Sequence, residues 1–186
     1  MKRIRSHYNV VATVFFLLII IAAHFLVPDN YDLTKNTISD LGSQGYDYKP
    51  LMQVGFIFFG LILILGISLN EINLRTTPLL IYGFCVALTG IFCAKPFVNT
   101  EPFSTSEMQS ILHPFFAQAA GIAFSIGILM QVFYTNRRSE KIIHVLFLAA
   151  VIGLSVTFGL YSEYPGIVQR VLYLVSFIWL AIFYKV

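Results

Sequence analysis

Residues 51–69 read LMQVGFIFFGLILILGISL, a stretch in which Gln53 and Ser68 are the only polar side chains and no side chain is charged. As a helix this stretch rises about 28 Å, at 1.5 Å per residue. The hydrocarbon core of a bilayer is about 30 Å thick. The stretch therefore predicts a transmembrane helix.

The composition of the whole chain agrees with this prediction. Of the 186 residues, 58% are hydrophobic and only 11% are charged, whereas soluble domains are about 25% charged. A soluble fold of this size has too little interior to cover so much apolar surface. No basic stripe follows a helix face, so nucleic acid is not expected as a partner.

Five more segments share the length and apolar character of residues 51–69. The predicted spans are roughly 8–27, 51–69, 78–94, 111–134, 142–161 and 167–184, and outer loops cover residues 28–50, 95–110 and 162–166. Residues 8–27 are longer than the apolar core of a signal peptide, so we expect a retained span. Backbone groups left unpaired in lipid are costly, so these short links predict one all-α, six-transmembrane-helix bundle over residues 1–186.

The basic residues predict the orientation. With the N and C termini cytoplasmic, the inner side holds Lys2, Arg3, Arg5, Arg75, Arg137, Arg138, Lys141 and Lys185, and the outer side holds Lys35, Lys49, Lys95 and Arg170. An excess of Lys and Arg marks the cytoplasmic side of membrane proteins. The chain is therefore predicted to be a multi-pass protein of the cell membrane.

Small residues recur every four positions in three of the predicted spans. They are Gly83 and Ala87 in the third span, Ala117, Gly121 and Ser125 in the fourth, and Ala149, Gly153 and Thr157 in the fifth. Such stripes let helix backbones approach each other in lipid. They predict packing within the bundle, and homo- or hetero-oligomers through these faces are an alternative.

Polar and ionisable residues collect at the outer ends of the spans and in the first outer loop. They are His24, Asn36, Ser39, Asp40, Lys95, His113, Glu163, Gln169 and Arg170. Polar groups at membrane depth are costly and often functional. We therefore expect these residues to line one polar pocket in the outer leaflet.

This residue set combines acid–base groups with partners for anions. We assign His113 as general base and Asp40 as its orienting group or a second acid/base, with Ser39 completing a candidate catalytic set. Arg170 would hold a headgroup phosphate. Substrate-binding contacts are further assigned to Gln169, Asn36, Lys95, His24 and Glu163.

Each of these residues also has a purely structural interpretation. Lys95 can reach the interface from a helix end, and Arg170 can pair with Glu163. Residues 37–40 and 104–107 both fit capping boxes, with Gly42 as a helix stop after the first. His113 precedes Pro114, which predicts a break in the helix there. His144 is interpreted as an interfacial residue.

No metal site is expected. A zinc site built from His24, Asp40 and His113 would need three segments to converge and has no local ligand motif. Cys85 and Cys93 would lie roughly 12 Å apart along one helix, at 1.5 Å per residue, too far apart to form a disulfide. The sequence leaves any cofactor unknown.

Several of these positions also carry a family resemblance. Asn36-Thr37-Ile38-Ser39-Asp40-Leu41-Gly42, followed by Pro50, Gly55 and Gly60, resembles domain-of-unknown-function family 998, and so do His113 and the string formed by Gly166, Gln169 and Arg170. The resemblance covers nearly the whole chain. It implies a prokaryotic six-span protein, hence one of the inner or plasma membrane, in which Ser39, Asp40, His113 and Arg170 are motif positions. It implies no activity.

Residues 38–42 are also similar to a string in the six-span Frag and DRAM-type proteins. Frag-type proteins are associated with lipid remodelling, which favours membrane lipid as the ligand. The leading hypothesis is therefore a protein that binds or modifies a lipid headgroup, and whether it is an enzyme stays open. A small transporter or channel is one alternative, although the mid-membrane region holds few ionisable groups. A structural or accessory membrane protein without catalysis is the other.

Overall fold

Six helices run through the part of the chain that the computed structural model describes, residues 7–70, 72–96, 106–160 and 163–184. They are α1 (Tyr8–His24), α2 (Lys49–Asn70), α3 (Thr77–Ile91), α4 (Glu107–Tyr134), α5 (Arg138–Leu160) and α6 (Pro165–Ile178). A 3-10 turn, Ser39–Gly42, lies in the α1–α2 loop, and a π-helical turn, Trp179–Phe183, extends α6. The described residues contain no strand, only a bridge between Ser43 and Ala94.

Four of the helices are long and apolar enough to cross a membrane. They are α2, α4, α5 and α6 together with its π-helical turn. Helices α1 and α3 are equally apolar but have only 17 and 15 residues. The predicted all-helical, membrane-type fold is thus confirmed, and the third helix ends at Ile91, three residues before the predicted end.

Consecutive helices pack against each other, and the π-helical turn packs against α1. The third helix therefore contacts the fourth, and the fifth contacts the sixth. The hydroxyl of Tyr8 donates to that of Tyr184 at 3.2 Å, so both ends of the described chain lie at one end of the bundle, the terminal end. The opposite end carries the α1–α2 loop and is called the loop end.

Aromatic rings fill the centre of the bundle. The ring of Phe16 on α1 lies 4.9 Å from that of Phe56 and 5.1 Å from that of Phe59, both on α2. The ring of Phe177 on α6 lies 5.8 Å from Phe16 and 5.9 Å from Phe59. Tilted and edge-on ring pairs at these distances add favourable contacts to the burial itself, so they join α1, α2 and α6.

The three small-residue stripes have different surroundings. Gly60 on α2 lies against Gly83 and Ala87 on α3, where any side chain on Gly60 would collide with the α3 backbone. The stripe of the third span therefore packs inside the bundle, as predicted. A Cβ on Gly121 or Gly153 would meet nothing within 4 Å, so the other two stripes leave open space beside the described residues.

Helix α4 begins earlier than the predicted fourth span and is not broken at His113. Its N-cap is Ser106, whose side chain accepts a hydrogen bond from the backbone of Gln109, while Ser104 and Thr105 lie outside the described residues. Pro114 lies inside the continuous helix. Its ring removes one backbone hydrogen bond near the N-terminus, and packing on α3 holds the remaining turns together. The predicted break was wrong.

Candidate functional site

Arg170 connects the start of α6 to the α1–α2 loop and to α1. Its Nη1 donates to the carbonyl oxygens of Leu33, Asn36 and Gly166, each at 2.8 Å. Its Nη2 donates to His24 Nε2 at 2.9 Å and to the Tyr31 hydroxyl at 2.7 Å. All of these acceptors are neutral. Arg170 does not form the alternative ion pair with Glu163, whose side chain is exposed. Among the described residues the one ion pair joins Arg137 and Glu140.

Gly166 and Gln169 hold the same loop from the first two turns of α6. The backbone nitrogens of Gly166 and Ile167 both donate to Thr34 O, and a side chain on Gly166 would collide with the carbonyls of Leu33 and Asn36. Gln169 Oε1 accepts from the Ile38 nitrogen at 2.6 Å, and its Nε2 donates to Ser39 Oγ at 3.3 Å. The Gly166, Gln169 and Arg170 string is therefore a docking surface for the loop.

Asp40 closes the capping box that its spacing predicted. The Thr37 nitrogen donates to Asp40 Oδ2 at 2.7 Å, and the Asp40 nitrogen donates to Thr37 Oγ1 at 3.2 Å. The 3-10 turn then ends at Gly42, the predicted stop. Asn36 also supports the loop from within, since its Oδ1 accepts from the Asp32 nitrogen while its carbonyl accepts from Arg170.

Tyr31 is a member of this network that the sequence did not single out. Besides accepting from Arg170, its hydroxyl donates to Thr37 O at 2.8 Å. Burial raises the pKa of Tyr31 to about 12, and the Arg170 guanidinium opposes that shift. The hydroxyl therefore stays protonated and can donate and accept at once. Its signal in the sequence is weak, because one tyrosine among ten is unremarkable without the fold.

His113 lies on α4 and is almost fully buried. Its Nδ1 is 3.0 Å from Thr89 O and 2.8 Å from Phe92 O. Two carbonyl oxygens can only accept, so Nδ1 carries the hydrogen. Nε2 is buried and has no hydrogen-bond partner among the residues that the structure describes. The Asp40 carboxylate contributes weakly to the electrostatic surroundings of the ring, and the two side chains share no hydrogen bond.

A polar pocket lies one helical turn from His113 toward the loop end. Its volume is about 550 Å³, within the size range of small-molecule sites. Its walls come from the α1–α2 loop, the start of α2, the end of α3 and the start of α4, and include Tyr46, Asp47, Lys49, Gln53, Cys93 and Gln109. None of these residues was predicted from the sequence as a site residue.

The walls of the polar pocket are held by their own hydrogen bonds. Gln44 accepts from the Ser106 nitrogen at 2.7 Å and donates to the Ser110 hydroxyl at 3.0 Å. Gln109 Oε1 accepts from the Cys93 nitrogen at 3.1 Å, and Gln53 Nε2 donates to Gly90 O at 3.2 Å. These bonds leave Gln53 Oε1 and Gln109 Nε2 without a protein partner among the described residues.

An apolar cavity of about 100 Å³ lies on the other side of His113. Thr89, Ala117, Gly121 and Tyr173 line it together with ring carbons of Phe56 and Phe177. One of its lining residues is bonded to His113, since His113 Nδ1 donates to the Thr89 carbonyl. The polar pocket and the apolar cavity therefore lie on either side of His113 along α4.

The predicted site residues divide into three groups. His24, Asn36, Ser39, Gln169 and Arg170 join in the network that holds the loop, and Asp40 lies between that network and His113. Lys95 and Glu163 are exposed and join neither. The first group lies together at the loop end of the bundle, but position along the chain carries no information on which way an end residue faces.

His144, which we interpreted as interfacial, is buried at the terminal end. Its Nδ1 accepts from the Trp179 indole at 3.1 Å, and both residues are less than 5% exposed. Asn9 Nδ2 donates to Leu180 O at 2.6 Å nearby. These bonds attach the π-helical turn to α1 and α5, so this polar cluster has a structural role in closing the bundle.

No group of three or more His, Cys, Asp or Glu suited to a metal ion occurs within residues 7–70, 72–96, 106–160 and 163–184. Cys85 and Cys93 are both free and buried. The described arrangement combines an imidazole whose Nδ1 is held by two carbonyls with a polar pocket on one side of it along α4 and an apolar cavity on the other.

Comparison with known proteins places the chain in a family. A family model described as "Protein of unknown function (DUF998)" matches residues 10–184. Searches of curated proteins and of solved structures found no match. The family match covers nearly the whole chain, including the loop motif, His113 and Arg170. The chain therefore belongs to the DUF998 family of proteins of unknown function.

Proposed function

We propose that the protein crosses the membrane six times, with both termini in the cytoplasm, and binds a lipid whose headgroup lies in the outer leaflet. The apolar helices and the family support a membrane protein. The distribution of Lys and Arg favours placing the terminal end inside. The loop end, with the polar pocket, then faces the outer leaflet.

The two short helices are compatible with six spans. Helix α3 rises about 22 Å over its residues, less than the full thickness of a hydrocarbon core. Phe92, Cys93 and Ala94 continue from it in a more extended path, in which Phe92 has ψ 119°, and Phe25 to Val27 continue from α1. Both segments thereby gain the length needed to reach the interface.

One observation carries the lipid proposal. Gln109, His113, Ala117 and Gly121 follow each other at intervals of four on α4, so they lie on one face of the helix. Gln109 lines the polar pocket, and Ala117 and Gly121 line the apolar cavity. An amphipathic ligand has this same order of polar and apolar parts along its length.

We assign His113, which lies between the two cavities on this face of α4, as the residue that acts on such a ligand. Its Nδ1–H is held by two carbonyls, and the lone pair of a neutral ring is on the unpartnered Nε2. A general base needs this arrangement, with one nitrogen oriented and the other free. Arg170 has a different part in the proposal, because Nη1 and Nη2 are already bonded to five acceptors. It holds the loop that forms the roof of the site.

The proposal is tested by filling the apolar cavity. Gly121→Leu puts a side chain into open space inside the cavity, and Gly153→Leu puts the same side chain into open space on α5, away from it. Leucine is more favourable than glycine in a helix by up to about 1 kcal/mol, so neither exchange should prevent folding. We expect the lipid that copurifies with the protein, measured by native mass spectrometry, to fall severalfold in Gly121→Leu alone.

The same measurement separates the alternatives. An accessory protein without a lipid site would keep its copurified lipid unchanged in both variants, and that result would contradict the proposal. A transporter or channel would move a solute across vesicles containing the purified protein. A solute flux that persists in both Gly121→Leu and His113→Ala would favour that alternative.

A further inference from the structure

We infer that the polar pocket takes a zwitterionic phosphoester, with a phosphate and an ammonium group on the same ligand. This inference rests on the proposed lipid function and names the headgroup class. Two charged side chains, Asp47 and Lys49, line the pocket. Neither side chain bonds to the other or to any other described residue.

One wall of the pocket suits an ammonium group. Asp47 supplies a carboxylate, and the neighbouring Tyr46 supplies an aromatic ring, the two surfaces that together attract alkylammonium groups. The ring is held in place because its hydroxyl donates to Leu26 O at 2.6 Å. Burial raises the pKa of Tyr46, so the hydroxyl remains a neutral donor and adds no competing charge.

A second wall of the pocket suits a phosphate. Lys49 begins α2 and lines the pocket together with Cys93, which follows α3. The free Nε2 of Gln109 is a second donor on this wall, because Oε1 of the same amide bonds the Cys93 nitrogen. An ammonium group and an amide N–H together make a site for phosphate oxygens.

The balance of charges distinguishes this ligand from others. The pocket carries one carboxylate and one ammonium, so a ligand with a net negative charge would leave Asp47 facing like charge. A neutral ligand would leave both charged groups without partners. A phosphoester that carries an amine satisfies both walls, and a pocket of about 550 Å³ has room for such a headgroup.

The test compares lipids that share their acyl chains and differ in headgroup. Purified protein in nanodiscs is titrated with phosphatidylethanolamine, phosphatidylglycerol and a neutral glycolipid, and bound lipid is counted by native mass spectrometry. We expect the zwitterionic lipid to bind about fivefold to tenfold more tightly than the anionic one, the size of one or two partly exposed charge contacts. Free phosphoethanolamine is added as competitor to learn whether the headgroup alone is sufficient.

Charge variants assign the two walls. Asp47→Asn should remove the preference for the zwitterionic lipid over the anionic one, and Lys49→Gln should weaken both. Asp29→Asn and Lys35→Gln are matched controls, because both residues are exposed and neither lines the pocket. The double variant with Asp47→Lys and Lys49→Asp keeps the net charge and checks that any loss depends on the position of each charge.

The outcomes separate the inference from the proposed function. Equal binding of all headgroups by the wild type, or an unchanged preference in Asp47→Asn, overturns the zwitterion inference while lipid binding stands. Absence of binding for every lipid overturns the proposed function as well. Displacement by free phosphoethanolamine would support the free phosphoester as a ligand, and its failure beside tight lipid binding would support the intact lipid.

Discussion

Arg170 Nη2 donates to His24 Nε2 across 2.9 Å, joining the second turn of α6 to the last residue of α1. The direction of this bond follows from the other ring nitrogen. His24 Nδ1 lies 2.6 Å from Ile20 O, which can only accept, so Nδ1 carries the hydrogen and Nε2 is the acceptor. Two basic residues thus form a favourable contact, and the contact closes the loop end of the bundle.

Replacing Arg170 should destabilise the protein more than its partial exposure implies. Arg170→Lys keeps the charge but cannot reach two helices and the loop with one ammonium group, because the planar fork is lost. We expect a loss of about 2 kcal/mol in the free energy of unfolding, the range for hydrogen bonds to a charged group. Thermal unfolding in detergent measures it. Lys95→Gln, at an exposed cation, is the control, and a stable Arg170→Lys would show that the network is dispensable.

Gly166 and Gly159 make a matched pair for the docking of the loop. A methyl group on Gly166 would collide with the carbonyls of Leu33 and Asn36, whereas one on Gly159 would meet nothing within 4 Å. We expect Gly166→Ala to lower the midpoint of thermal unfolding and Gly159→Ala to raise it slightly, since alanine favours a helix by about 1 kcal/mol over glycine. Equal midpoints for the two variants would contradict the close approach.

The sequence predicted the apolar helices well because the membrane imposes one length and one composition on every span. Helix ends were predicted less well where tertiary contacts decide them. Helix α3 stops at Ile91 because Ala94 pairs with Ser43, and the Ala94 carbonyl accepts from the Gln44 nitrogen at 2.9 Å. Such a contact between distant segments leaves no local trace in the sequence.

Site residues were predictable where a short motif holds them and not where only the fold does. The Thr37 and Asp40 capping box follows from their spacing. Lys49 and Gln109 line one pocket only because the start of α2 lies beside the start of α4 at the loop end, which no spacing reveals. Lys95 is exposed and joins neither group, and its spacing could not show this, since the rotation of a chain end around its helix axis depends on packing.

Tyr31 gives a pH dependence to the loop. Its pKa is raised to about 12 in the folded protein from an unfolded value near 10, so folding favours the protonated hydroxyl. This stabilisation is complete below pH 10 and is lost as the pH rises toward 12. We expect the wild type to lose about 1 kcal/mol more stability than Tyr31→Phe between pH 8 and pH 11. Unfolding midpoints measured at several pH values from 8 to 11 check the slope, and parallel curves for the two proteins would contradict it.

The bond between Trp179 and His144 makes a prediction for the terminal end that is independent of the site. Trp179 is fully buried, and its indole N–H donates to His144 Nδ1 at 3.1 Å. His144→Leu removes that acceptor and leaves the indole nitrogen buried without it, which should cost about 1 to 3 kcal/mol. Because the chain has one tryptophan, its fluorescence reports unfolding of this region directly.

Arg138→Gln, at an exposed position on the same helix as His144, is the control and should unfold like the wild type. Lipid binding should survive in His144→Leu below its unfolding midpoint, since the polar pocket and the apolar cavity do not include this pair; loss of binding in a folded His144→Leu would mean that the two ends of the bundle are coupled.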